Sequence, residues 1–207
     1  AVKLGFKPQK MPKFIDPHLC RPCGECALGC KRDARWASTK YLDEALKYGA
    51  SIIEETPVTR VLYKNGRVTG VRSGDKEFHA DMVILSAGAI STPRILINSG
   101  IPAGDNLFTD TFVTVGGVLK GINFIEEVQM NALIELEDII ISPHYSSLLL
   151  DKLERSDAVK EDILGMMVKI RDDPSGRVTM DSVVKYNTLR DVELLTRGSA
   201  IAGSILK

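Results

Sequence analysis

Four cysteines, Cys20, Cys23, Cys26 and Cys30, fall within the eleven residues CRPCGECALGC and are all the cysteines of the chain. The pattern C-x2-C-x2-C-x3-C is the ligand spacing of bacterial ferredoxins, where short loops let thiolates wrap one cube of iron and sulfide. Lys31 stands where those runs carry proline. Zinc sites use two cysteine pairs separated by a longer loop, which is absent here. Tethers this short and the lack of an export signal disfavour disulfides. Free thiols packing as small apolar side chains at a loop–helix junction are the fourth reading. The residues leave these alternatives open, with the four cysteines as candidate metal ligands.

The second place where chemistry could gather is MVILS (82–86), followed by Ala87-Gly88-Ala89 and Ser91-Thr92-Pro93. A continuously apolar run predicts a strand buried on both faces. Ser91 or Thr92 is a good N-cap and Pro93 a good first helical residue, with Gly100 closing the helix. Such a turn frees backbone N–H groups and lets main chain approach a phosphate or dinucleotide. No G-x-G-x-x-G or G-x-x-x-x-G-K occurs in the chain, so the primary pyrophosphate cradle is not part of it. His18, His79 and His144 are the three histidines. His79 alternates with strand residues and His144 follows a proline at a strand end, so both read as structural or solvent-facing.

The elements that must position these groups follow from periodicity. Residues 1–19 read as a proline-punctuated extended lead, and residues 26–48 as helical, stopped by Gly49. SIIEE, TPVTRVLY, RVTGVRS and KEFHA read as strands, with Asn65-Gly66 a two-residue hairpin signal. Beyond residue 103, TFVTVGGVL, EVQMNALIEL, DIIISPHY, ILGMMVKIR and RVTMDSVVKY are strand-like. SSLLLDKLERS is a helical interlude, and Thr188 caps a last helix to about Leu206. This predicts an antiparallel sheet with helices on one face.

Lys plus Arg equals Asp plus Glu, 27 against 27. No net field gathers nucleic acid or anionic lipid, and the basic stretch 31–35, broken by Asp33, reads as a solvated helix face. No apolar run approaches a membrane span, and the lysine-bearing N-terminus is no secretory signal. The expectation is a cytoplasmic chain that binds no nucleic acid.

Gly88-Ala89-Ile90-Ser91-Thr92-Pro93-Arg94-Ile95-Leu96-Ile97-Asn98-Ser99-Gly100-Ile101 resembles the second signature of the glucose–methanol–choline (GMC) flavin oxidoreductases, with Pro102 in place of its final glycine. TPVTRVL is similar to the family strand whose valine meets the FAD adenine, here Val58, and GDNLFTDT to a G-x-N-L-x-D-H segment, with Thr111 in place of histidine. CGECALGCKRDARWASTKYLDEA resembles the cysteine-bearing segment of long-chain alcohol oxidases and of sugar or polyol dehydrogenases. KIRDDPSGRV and TLRDVELLTRGSAIAGSIL resemble the end of the family's substrate domain.

The resemblance implies a mixed α+β and α/β fold. A partial FAD-binding, Rossmann-like domain (1–102, with the cysteine segment 20–30) would be joined to a substrate-binding domain of antiparallel sheet and helices (103–207). It implies FAD bound through Val58, Ala87, Gly88, Thr92 and Pro93, and a small-molecule alcohol, sugar or polyol as substrate. It also implies an electron-acceptor protein or quinone as partner, and some relatives carry an iron–sulfur cluster beside the flavin. The family's G-x-G-x-x-G unit and catalytic histidine segment have no counterpart here, so the chain is expected to be an internal piece, inactive alone, with no catalytic residue of its own. Two rivals remain: an electron-transfer module built on residues 15–35, and a non-redox domain binding a polyol or partner on the sheet of 112–185.

Overall fold

The computed structural model describes residues 1–145, 147–152 and 157–207. In chain order the strands are β1 (Gln9–Lys10), β2 (Arg60–Lys64), β3 (Arg67–Ser73), β4 (Lys76–His79), β5 (Asp105–Leu107) and β6 (Phe112–Val118). They continue with β7 (Ala132–Leu136), β8 (Ile139–His144), β9 (Ile163–Ile170), β10 (Gly176–Val178) and β11 (Val183–Val184). The helices are α1 (Thr39–Lys47), α2 (Gly88–Asn98), α3 (Ser147–Lys152) and α4 (Leu189–Leu206). The fold is mixed α and β, and its strand pairs are antiparallel.

The chain forms two compact units. The larger comprises residues 1–44, 110–172 and 189–207. Its sheet runs β1-β7-β8-β9-β6. Alternation sorts β9 into two faces: Met166, Val168 and Ile170 are buried with Ile139 and Ile141 of β8 and Leu194 and Ala202 of α4. Val113 and Val115 of β6 face the same way, paired with Val168 and Met166. α4 approaches this face closely because position 198 is glycine; a Cβ there would overlap Val168 Cγ1. The opposite face carries Phe112, Thr114, Gly116, His144, Gly165 and Met167, and Leu149 of α3 packs over the two glycines. A second buried group, Phe124, Tyr145 and Ile163, lies beside it. The parts of the helical interlude that fall on residue 146 and residues 153–156 lie outside the described residues.

The smaller unit comprises residues 45–109 and 173–188 and holds the sheets β2-β3-β4 and β11-β10-β5. Asn65 (φ 53°) and Gly66 (φ 76°) both sit in the left-handed region, which is how an Asn-Gly pair closes a two-residue hairpin. Arg72 faces Glu77 across β3–β4 and pairs with it at 2.5 Å.

Several expectations are corrected. MVILS and SIIEE are not strands: Met82 and Ile84 are 77% and 81% exposed, and Ile52 and Ile53 are exposed too. An apolar run becomes a strand only when a neighbour takes its hydrogen bonds, and among the described residues none pairs with either run. The helix expected over 26–48 is a single 3-10 turn, Cys26–Leu28, and then α1. Left-handed Asp33 and Gly29 at φ 109° break it, so the basic stretch 31–35 lies on a returning loop. α2 begins at Gly88, with Ala87 at its cap and Pro93 inside it. RVTMDSVVKY is two short strands about a turn in which Thr179 N–H donates to Ser182 O at 2.8 Å.

Candidate functional site

The cysteines sit on a loop tied shut at its neck. Trp36 N–H donates to Phe14 O at 2.9 Å, Asp16 N–H donates to Ala34 O at 2.7 Å, and Ile15 and Arg35 form a β-bridge. Asp16 organises the entry: its Oδ1 accepts from His18 N at 2.8 Å, and its carbonyl accepts from Cys20 N at 2.9 Å. Two guanidinium groups hold the interior, Arg21 on the carbonyls of His18 and Cys20 and Arg35 on that of Cys26, at 3.0–3.2 Å. Gly24 (φ 70°) lies directly on the Tyr145 ring. Tyr145 is fixed in turn by its N–H, which donates to Oε1 of buried Gln129.

All four cysteines line one cavity of about 1200 Å³ in the larger unit. Cys20 is half-buried and the other three are exposed. Burial pushes the Cys26 thiol up, and the charges of Cys23, Cys20 and Cys30 push the same way against Lys13. Backbone N–H groups of Arg32, Arg35 and Ala34 hold the Cys30 thiol below the usual range. Burial lowers Lys13, which the Cys26 charge counters. The loop thus brings the four sulfurs within electrostatic reach of one another. It does not bring them into a ligand set: among the described residues no three His, Cys, Asp or Glu side chains are gathered where a metal could be held.

The residues expected on the flavin side lie in the smaller unit. Val58 is half-buried, two residues before β2. Next to it, the C-terminal end of α2 is bolted to the start of β2. Asn98 Nδ2 donates to Thr59 O at 2.8 Å, Arg60 donates to Asn98 O at 3.0 Å, and Val61 N–H donates to Ser99 Oγ at 2.8 Å. Ala87 and Gly88 stand at the other end of α2, roughly 15 Å away along an eleven-residue helix. Thr92 turns its Oγ1 to accept from Ala87 N at 3.1 Å. Neither an acidic residue in the first turn nor a side-chain cap occupies the helix start, and a Cβ on Gly88 would meet no atom within 4 Å. That end is therefore open main chain with a positive dipole.

The reading by residue type set His144 aside, and it missed Trp36 and Tyr145. All three line the cysteine cavity. The signal was strand alternation: His144 pairs with Gly165 and shares a sheet face with Thr114 and Met167. His79, at the end of β4, is exposed, its Nδ1 3.3 Å from Thr69 O.

The cysteine loop and the glycine-led helix both lie within a stretch that matches a known family. The family profile described as GMC oxidoreductase matches residues 1–118. The chain belongs to the GMC oxidoreductase family. It is 38% identical over 202 residues to an uncharacterized protein of Methanocaldococcus jannaschii, covering 95% of this chain and 52% of that one. An uncharacterized GMC-type oxidoreductase of Mycobacterium tuberculosis is 35% identical over 107 residues, 49% of this chain and 17% of its own length. An alcohol dehydrogenase (acceptor) of Pseudomonas putida is 33% identical over 86 residues, 37% of this chain and 16% of its own. The chain thus spans about half of the first relative and a sixth of the others. Among the described residues no helix is long and apolar enough to cross a membrane.

Proposed function

We propose that the protein acts as an FAD-dependent oxidoreductase on CH–OH groups of a small-molecule alcohol, sugar or polyol. The observation that carries this is the family match over residues 1–118, which takes in the flavin-side residues named above. The flavin supplies hydride acceptance when bound, and the protein supplies position and electrostatics. Val58 would offer main chain to the adenine. Gly88 would offer its N–H to the phosphates beside Ala87, whose own N–H is held by Thr92 Oγ1, with Pro93 shaping the turn.

The test is the full-length protein: oxidised-flavin absorbance, released FAD, and bleaching on addition of alcohols under anaerobic conditions. Absence of bound flavin from well-folded full-length protein would sink the reading. The 207-residue chain alone is expected to be colourless towards FAD and inactive.

A second reading adds an iron–sulfur cluster on Cys20, Cys23, Cys26 and Cys30. It is supported by the four thiols lining one cavity and by the field they exert on Cys26. As placed they do not fit a cluster, and the loop would have to close around one, as metal-coupled folding requires. Iron and acid-labile sulfide in anaerobically prepared protein, lost in Cys26→Ser, would establish the cluster. Their absence under those conditions would exclude it.

A further inference from the structure

Two C-x2-C pairs overlap at Cys23: Cys20-Arg21-Pro22-Cys23 and Cys23-Gly24-Glu25-Cys26. This is the spacing of dithiols that cycle between reduced and disulfide forms. Three observations favour the second pair. Cys23 and Cys26 are both exposed, whereas Cys20 is half-buried and tied by its N–H to Asp16 O. After burial itself, the strongest influence on Cys26 is the charge of Cys23. Gly24 turns the chain between the two at φ 70° and is pinned against the Tyr145 ring.

The wall around these thiols is cationic. It carries Lys13, Arg21, Lys31, Arg32, Arg35 and Lys152 against Glu25 and Glu127. Glu25 is already paired with Lys31 at 3.1 Å, and Glu127 Oε2 accepts from Asn131 Nδ2 at 3.3 Å. Lys13 acts on Cys26 itself, opposing the charges of the other cysteines, and Lys152 joins from α3. A cleft lined by an excess of one sign of charge concentrates small ligands of the opposite sign. A thiol reagent that carries carboxylates is therefore favoured here over a neutral or cationic one.

We infer that Cys23 and Cys26 form a reversible dithiol–disulfide pair that exchanges with a small disulfide bearing carboxylates, drawn in by the cationic wall. This goes beyond the oxidoreductase reading and does not rest on it. One cysteine thiolate attacks a sulfur of the small disulfide, which forms a mixed disulfide and releases one small thiolate. The second cysteine, deprotonated, attacks the protein-side sulfur of that bond and displaces the other small thiolate, closing Cys23 onto Cys26. The two cysteine protons end on the two small thiols, so the chain gives up an electron pair and the small disulfide gains it. The four thiols are free in this structure, the reduced end of the cycle. A ring closed over so short a tether is strained, which makes the bond exchangeable rather than a permanent cross-link.

The reduced chain is mixed under argon with oxidised glutathione (anionic), 2-hydroxyethyl disulfide (neutral) or cystamine (cationic). Oxidised glutathione should release two equivalents of glutathione per chain. Iodoacetamide should then label Cys20 and Cys30 but neither Cys23 nor Cys26, and dithiothreitol should restore labelling of both. Cys23→Ser and Cys26→Ser should each stop at a stable glutathione adduct, whereas Cys20→Ser and Cys30→Ser should complete the cycle. Should a serine variant lose its cooperative melt, the alanine variant at that position carries the same comparison. Lys13→Glu combined with Lys152→Glu should slow oxidised glutathione relative to 2-hydroxyethyl disulfide about 10-fold, and should speed cystamine on the same scale. A stable adduct on the unaltered chain, protection of a different pair, or the same relative rates in parent and lysine variant overturns the assignment. So does a chain that holds iron and acid-labile sulfide and keeps all four thiols from oxidised glutathione.

Discussion

Gly24 rests against the ring of Tyr145 so closely that a Cβ on Gly24 would overlap Cδ1 and lie 2.8 Å from Cε1. The same residue holds φ at 70°, a conformation that side-chain-bearing residues rarely adopt. Tyr145 is 7% exposed and fixed by Gln129, so it cannot step aside cheaply. Gly24→Ala should therefore destabilise the larger unit by about 2 kcal/mol, from overpacking and backbone strain together. Chemical denaturation of Gly24→Ala, Tyr145→Ala and the double variant checks this. The double variant should lose less than the sum of the singles, because removing the ring removes the overlap.

Ser99 fastens α2 to β2 in the smaller unit. Its hydroxyl donates to Ile95 O at 2.6 Å and accepts from the N–H of buried Val61 at 2.8 Å. Ser99→Ala leaves that N–H unpaired away from water, a cost of about 1–3 kcal/mol. Asn98→Ala removes an exposed bond to Thr59 O and should cost under about 1 kcal/mol. Under the proposed function the same bolt sets Val58 against Gly88, so in full-length protein Ser99→Ala should weaken FAD retention more than Asn98→Ala does. Equal retention by the two variants in a dialysis assay would separate the bolt from flavin binding.

Much of this was legible in the sequence wherever local signals and partners coincide. Asn65-Gly66 names its own turn, and DIIISPHY and ILGMMVKIR became β8 and β9 because each lies next to a strand within the chain. MVILS and SIIEE carry equally strong apolar signals. They remain irregular because hydrogen-bonding partners are a property of the neighbours rather than of the run. In the site, cysteine spacing was legible, since four thiols in eleven residues must share a neighbourhood. The contact of Gly24 with Tyr145 was not, because 121 positions of chain separate them and only the packed fold joins them. The place of His144 beside the cavity was not legible for a related reason. Alternation says that it shares a face with Thr114, but not that this face borders a cavity.

Gly198 sets two effects against each other on α4. Replacing it with alanine should gain about 1 kcal/mol of helix propensity. The new Cβ, however, overlaps Val168 Cγ1 and sits 3.2 Å from Ile139 Cγ2, both on fully buried side chains of the central strands. Overpacking of this kind costs about 1–3 kcal/mol, and here the obstacle is a β-branched side chain with little freedom to turn. Gly198→Ala should lower the urea midpoint, and Gly198→Ala with Val168→Ala should recover part of the helix gain relative to Val168→Ala alone. A Gly198→Ala variant more stable than the parent would show that the helix can shift outward at little cost.

His144 gives the larger unit a pH dependence whose sign follows from its burial. In the folded chain desolvation lowers its pKa, while in the unfolded chain it titrates in the ordinary range. Between those two values the unfolded state binds a proton that the folded state refuses, so the free energy of unfolding falls as pH falls. Its contribution is present above the unfolded pKa, is lost progressively as pH drops towards the folded one, and is constant below that. Measured by urea unfolding from pH 7.5 down to 5, the native chain should show a steeper loss than His144→Phe, which has no proton to take up at this position. Parallel profiles with and without His144 would mean that the imidazole is solvated in the folded state.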